Sequence, residues 1–231
     1  MQRLDKLLAD ADVASRSALK SVIRSGRVTV DGAVVKDPSR KVEEDAVLAL
    51  DGEPIERKRR MVCMLYKPAG YVTSTKDKDP TVMELVPEGM RKMDLAPVGR
   101  LDKDTEGLLL MTNDGVLAHK LTSPKAKVSK VYYVEHEGIA TQEDVAAFQK
   151  GIVLKDGEAC MPAILRPMGP GKSEVVLGEG KYHQVKRMMA SRSLSVTYLK
   201  RVKEGGLGLG NLEKGQMREL SAEEEALLFQ A

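Results

Sequence analysis

The sequence predicts an α+β fold in two parts. A small N-terminal helix–helix–hairpin unit comes first, followed by a larger domain in which helices flank a mixed, mainly antiparallel β-sheet. Three observations carry this reading. Near the N-terminus apolar residues recur at helical spacing, then give way to an Asp31-Gly32 turn between two short β-type runs. Two later runs, residues 61–66 and 107–112, are apolar throughout, as strands covered on both faces are. After them strands and helices do not alternate regularly, which argues against a doubly wound parallel sheet.

Taken in order, Leu4, Leu7, Leu8 and Ala11 form the inner face of a short helix. Ser15 caps a second helix with Leu19, Val22 and Ile23 inward, and Gly26 ends it. Residues 27–30 and 33–35 pair around the two-residue turn, and residues 46–50 add a strand. The segment Pro54-Ile55-Glu56-Arg57-Lys58-Arg59-Arg60 is polar and basic. A linker over 57–60 therefore separates a first domain, 1–56, from a second, 61–231. In the second, Lys67-Pro68-Ala69-Gly70 stops strand 61–66, and Asn113-Asp114-Gly115 stops strand 107–112. Residues 128–136, 196–202 and, more briefly, 173–177 have strand character. Thr141 and Asp144 form a capping box for a helix ending near Gly151, residues 182–190 read as a basic helix, and Ser221 with Glu224 cap a last one.

Composition excludes several classes. The 231 residues are 42% hydrophobic, with 37 Lys+Arg against 34 Asp+Glu, and no apolar run reaches transmembrane length. The N-terminus acquires Asp5 before any apolar stretch builds up, unlike a secretory signal. Cys63 and Cys160 sit in apolar surroundings without a CxxC pair, which suits a cytoplasmic protein. The three histidines lack metal-site spacing, so neither a metal nor another cofactor is expected. Net charge is only +3, but its distribution is uneven: Lys181 to Lys203 carries seven basic residues and no acid. Such clustering creates local positive potential on a nearly neutral chain.

Three segments could carry chemistry. In Gly99-Arg100-Leu101-Asp102-Lys103-Asp104-Thr105-Glu106-Gly107, the glycines allow a tight loop with close approach of another backbone. Its three acids, at alternate positions, point one way if the loop is extended. They could then hold Mg²⁺ for phosphoryl chemistry, supply a single carboxylate nucleophile or acid/base, or simply be solvated. In Gly178-Glu179-Gly180-Lys181-Tyr182-His183-Gln184-Val185-Lys186-Arg187-Met188, a glycine-bracketed turn precedes a basic helix on which His183 and Arg187 share a face. In Ser129-Lys130-Val131-Tyr132-Tyr133-Val134, adjacent tyrosines point to opposite faces of a strand, one free to meet a base.

The N-terminal unit, with Arg3-Leu4-Asp5-Lys6-Leu7-Leu8, Ser15-Arg16, Ile23-Arg24-Ser25-Gly26-Arg27-Val28 and Val30-Asp31-Gly32, resembles the small RNA-binding module first recognised in ribosomal protein S-four. That resemblance implies that Arg16, Arg24 and Arg27 present a basic face to RNA phosphates. The three later segments, in this order, resemble the pseudouridine synthases, specifically the branch that modifies small-subunit ribosomal RNA. The match runs through Gly99 to Gly115 nearly throughout. It implies a catalytic aspartate at Asp102, a base-stacking tyrosine at Tyr132 and a basic partner of the aspartate at Lys186. Arg100 would join the substrate contacts, and Lys181, His183 and Arg187 the RNA-binding surface. The target implied is uridine 516 of 16S RNA. The partner is ribosomal RNA or a small-subunit assembly intermediate, met by a monomer. Two departures stand out: Met189-Ala190-Ser191-Arg192-Ser193-Leu194 lacks the usual turn glycine, and Val202-Lys203-Glu204-Gly205 replaces Arg-Ile-Gly. A synthase acting on large-subunit RNA and a non-catalytic ribosome-assembly factor are the alternatives.

Overall fold

The computed structural model describes residues 1–11, 13–43, 45–56, 59–123 and 126–230, so residues 57 and 58 of the expected linker lie outside the described residues. The chain divides into two units, Met1–Arg59 and Arg60–Ala231. No helix among the described residues is long and apolar enough to cross a membrane.

The first unit holds β1 (Gln2–Arg3), α1 (Leu4–Asp10), α2 (Arg16–Arg24), β2 (Val28–Val30), β3 (Ala33–Val34), β4 (Lys41–Val42), β5 (Leu48–Leu50) and β6 (Glu53–Pro54). Leu4, Leu7 and Leu8 from α1 meet Leu19 and Ile23 from α2 over Val28, Val30 and Leu48 of the sheet. Ser15 caps α2 as expected, its hydroxyl accepting from Ala18 N. Asp31 and Gly32 lie at φ 50° and 80°, the doubly left-handed turn whose twist suits a two-residue hairpin.

The second unit holds β7 (Val62–Lys67), β8 (Ala96–Val98), β9 (Glu106–Thr112), α3 (Gly115–Thr122), β10 (Lys130–His136), α4 (Gln142–Lys150), β11 (Ile164–Gly169), β12 (Lys172–Leu177), α5 (Gln184–Ser191), β13 (Val196–Glu204), β14 (Leu207–Gly208), β15 (Met217–Glu219) and α6 (Ala222–Leu227). The strand order is β11-β12-β10-β13-β9-β7-β15, with β8 on β9 and β14 on β13. Pairing is antiparallel except between β13 and β9. The uninterrupted apolar runs now have their cause. Cys63, Leu65, Leu109 and Met111 enter one core, while Val62, Met64, Leu108 and Leu110 enter a second on the other face.

The parallel junction of β13 with β9 positions the cleft described below. Gly107 pairs with Arg201 there at φ 108°, and a Cβ on it would lie 2.1 Å from the Arg201 carbonyl oxygen. The expected close backbone approach thus occurs at Gly107, whereas a Cβ at Gly99 would meet only Thr122 Cγ2 at 3.7 Å.

One expectation, that of the basic helix, needs correction, and two others gain detail. Asn113-Asp114-Gly115 stops β9 but also starts α3, because the Asp114 carboxylate accepts from the amides of Val116 and Leu117 at 2.9 and 3.0 Å. The basic helix begins at Gln184: His183 is its N-cap, at φ 47° and ψ 34°, so it does not share a helical face with Arg187. In the turn lacking the usual glycine, Ser193 takes the left-handed conformation at φ 61°.

Candidate active site

The loop that follows β8 is held through its backbone by the side chains of Thr73 and Lys67. Thr73 Oγ1 donates to Leu101 O at 2.8 Å and accepts from Leu101 N at 3.1 Å. The chain then turns, with Thr105 N donating to Asp102 O at 3.1 Å. Lys67, fully buried at the end of β7, donates to the carbonyls of Pro68, Asp102, Lys103 and Thr105 at 3.0, 3.0, 3.2 and 2.7 Å. Burial lowers the pKa of that ammonium to about 8. Neither Lys67 nor Thr73 was singled out from the sequence. The available signal was a lysine closing an otherwise apolar strand.

This turn brings Asp102 and Asp104 to one side and sends Glu106 elsewhere, so the expectation of a side shared by all three acids holds for only two. The Asp102 side chain, 25% exposed, lies 3.3 Å from Lys186 Nζ and 3.5 Å from His183 Nε2. Asp104 reaches out to the same ammonium at 2.5 Å. Desolvation acts to raise the Asp104 carboxyl, but contact with Lys186 wins and holds it below its usual value. Glu106 is buried and accepts from Tyr198 Oη and Lys214 Nζ, both at 2.9 Å. The magnesium reading required all three carboxylates on one side. Among the described residues, no group of three His, Cys, Asp or Glu side chains could hold a metal ion.

Asp102 opens into a cleft of about 740 Å³ that Arg100, Tyr132, Leu177, Lys181, His183 and Leu199 help to line. Tyr132 is buried at its wall, and desolvation pushes its phenol up. Tyr133 faces the other way, edge-on to Tyr198 with ring centres 6.2 Å apart. Opposite Tyr132 on the neighbouring strand β13, and in the same lining, lies Arg201, 1% exposed, which donates through Nε to Leu108 O at 2.8 Å. Its Nη2 sits 3.4 Å from Glu204 Oε2, so the acid that replaces the usual isoleucine is buried against a cation.

The remaining basic residues fare differently. Lys181 donates to Ala159 O at 2.5 Å and lies 3.4 Å from Glu158. Arg187 bridges Asp156 and Glu158 at 2.5 and 2.8 Å. Lys181 and Arg187 thus take their counter-charges from Asp156 and Glu158, while Lys186 takes its own from Asp102 and Asp104 and Arg192 from Asp144. In the first unit, Arg16 and Arg3 clasp the buried Asp5 carboxylate at 3.2 and 2.8 Å. The Arg3 contact, first, and Arg16 hold that carboxyl far below the usual range. Arg27 pairs with Asp51, and Arg24 is exposed at the end of α2.

Comparison with known proteins decides what this cleft belongs to. The family model described as RNA pseudouridylate synthase matches residues 61–191, which include the loop of Asp102, Tyr132 and Lys186. The chain belongs to the RNA pseudouridylate synthase family. A second model, the S4 domain, matches residues 2–48 of this synthase. The enzyme is 41% identical to the Bacillus subtilis protein named "Uncharacterized RNA pseudouridine synthase YtzG", covering 98% of each chain. It is 39% identical to ribosomal small subunit pseudouridine synthase A of Escherichia coli, over 97% of this chain and 98% of the relative. It is also similar to a solved pseudouridylate synthase, with a TM-score of 0.71, 34% identity, and coverage of 99% and 100%.

Proposed function

We propose that this RNA pseudouridine synthase isomerises one specific uridine in small-subunit ribosomal RNA, the equivalent of uridine 516, with Asp102 as its catalytic carboxylate. One observation carries the assignment of Asp102: its carboxylate meets the Lys186 ammonium at 3.3 Å in a cleft that Tyr132 also lines. The reaction breaks the N-glycosidic bond, turns the uracil over and rejoins it through carbon. It is redox-neutral and takes up no water. A carboxylate beside the ribose can attack the anomeric carbon, or remove a ribose proton to give a glycal-like intermediate. Both routes need Asp102 ionised in a partly desolvated place. The Lys186 cation favours that state.

Extruding the uridine from its stack costs about a few kcal/mol. Stacking on the Tyr132 ring returns about 1–3 kcal/mol of it. Arg100, exposed beside the cleft, is placed to meet a phosphate of the flipped nucleotide. The S4 domain, with Arg24 at the end of α2, adds phosphate contacts along the surrounding RNA, which suits a ribosomal RNA substrate met by a monomer. Arg16 and Arg27 can contribute only while paired to Asp5 and Asp51, and Lys181 and Arg187 only while held by Glu158. The small-subunit target follows the names of full-length relatives near 40% identity. Carbodiimide mapping of ribosomal RNA from cells with and without this gene tests it. The expected result is one small-subunit pseudouridine that disappears with the gene. Loss from large-subunit RNA instead refutes the target.

A further inference from the structure

We propose that the stacked Tyr182–His183 pair at the cleft is a platform for an unpaired base next to the target uridine. Ring stacking holds this base, so the platform tolerates any base identity. The inference rests on the reading of Asp102 as the catalytic carboxylate.

Tyr182 is 75% exposed, more than any other large apolar side chain among the described residues. Yet its position is defined, because its ring lies on the His183 imidazole with centres 3.8 Å apart and planes 18° from parallel. His183 achieves this from a left-handed backbone at φ 47°, a conformation that side chains with a Cβ rarely adopt. From there His183 directs its imidazole to within 3.5 Å of Asp102, with Tyr182 outward from it. The two rings therefore form one stack that runs from the carboxylate to solvent along the cleft lining.

The proposed reaction supplies a ligand of matching shape. Extruding a uridine uncovers the faces of the bases on either side of it. Single-stranded bases stack on protein aromatic rings largely regardless of sequence. Tyr132 is buried at the cleft wall and suits the extruded uracil, whereas Tyr182 is presented to solvent beyond Asp102. The exposed side chain of Arg100 stands in the same lining, placed for the phosphates that link the two nucleotides, whereas Lys103 donates to Asp79 at 2.7 Å.

The test is a double-mutant cycle in RNA affinity, run on whichever ribosomal RNA fragment the wild-type enzyme converts. One partner is Tyr182, as wild type, Tyr182→Ala or Tyr182→Phe. The other is the fragment with the base removed from the nucleotide on the 5′ or the 3′ side of the target. On one of the two sides, base removal is expected to weaken wild-type binding by about 5- to 150-fold, the range for base–aromatic stacking. Tyr182→Ala should lose that sensitivity, and Tyr182→Phe should retain it. Equal penalties in wild type and Tyr182→Ala would overturn the platform, as would a wild-type enzyme indifferent to base removal on both sides. A wrong target appears separately, as conversion of another RNA fragment. A wrong catalytic carboxylate appears as turnover by Asp102→Asn.

Discussion

Lys67→Met should loosen the loop that carries Asp102 while leaving β7 in place. The wild-type ammonium donates to four carbonyls, three of them in the loop, at 2.7–3.2 Å. Methionine fills similar space but strands those acceptors, at roughly 1–3 kcal/mol each. Part of that is recovered, because the buried ammonium is itself unfavourable. A pKa shift from 10.5 to about 8 corresponds to about 3 kcal/mol at 1.36 kcal/mol per unit. With four acceptors stranded and that offset, the net loss should fall at roughly 1–9 kcal/mol of stability. Because the loss is concentrated in the loop, displacement of Asp102 should cut turnover by about 100-fold. The sign of the pH dependence follows from the lowered pKa. Between about pH 8 and 10.5 the unfolded chain keeps the Lys67 proton and the folded chain releases it. Wild-type stability relative to Lys67→Met should therefore rise through that window and stay level below it. Urea denaturation of both proteins from pH 7 to 10.5, with single-turnover rates at pH 7.5, measures both effects. Equal stability and equal turnover would refute the role given to Lys67.

Gly107→Ala should unfold or severely destabilise the second unit, because a Cβ would overlap the Arg201 backbone at φ 108°; thermal denaturation reads this directly. Deleting residues 1–59 should leave the two cores of Arg60–Ala231 cooperatively folded. It should weaken RNA binding and flatten its salt dependence, as measured by affinity across salt concentrations. Lys186→Met should reduce the single-turnover rate much more than RNA affinity. Lys181→Met, whose cation is held by Ala159 and Glu158, should leave the rate near wild type.

The sequence was most informative where local chemistry and tertiary structure agree. The Asp31-Gly32 hairpin, the Ser15 cap and the two apolar strands fall where residue type alone places them. Edge elements were harder to read. Strand β11 contains Pro167, and β8 and β15 have three residues each, too short for a period-2 signal. Helix α3 was hidden because Asp114 and Gly115 carry the signature of a turn, and only the Asp114 cap shows that a helix follows. At the site, the motif spacing and the family resemblance brought Asp102, Tyr132, His183 and Lys186 into consideration, and the fold gathers them. The pairing of Arg187 with Asp156 and Glu158 was illegible, since those acids become neighbours only through tertiary structure. Lys67 escaped notice because its partners are backbone carbonyls, and these leave no trace in side-chain composition.

The most direct measurement of the central claim is single-turnover pseudouridine formation by Asp102→Asn, with RNA affinity measured on the same preparation. Asparagine keeps the size of the side chain and removes the ionised oxygen that attacks the sugar or takes its proton. RNA should bind close to the wild-type affinity while pseudouridine stays at background. Pseudouridine formed by Asp102→Asn at a rate near wild type would contradict it.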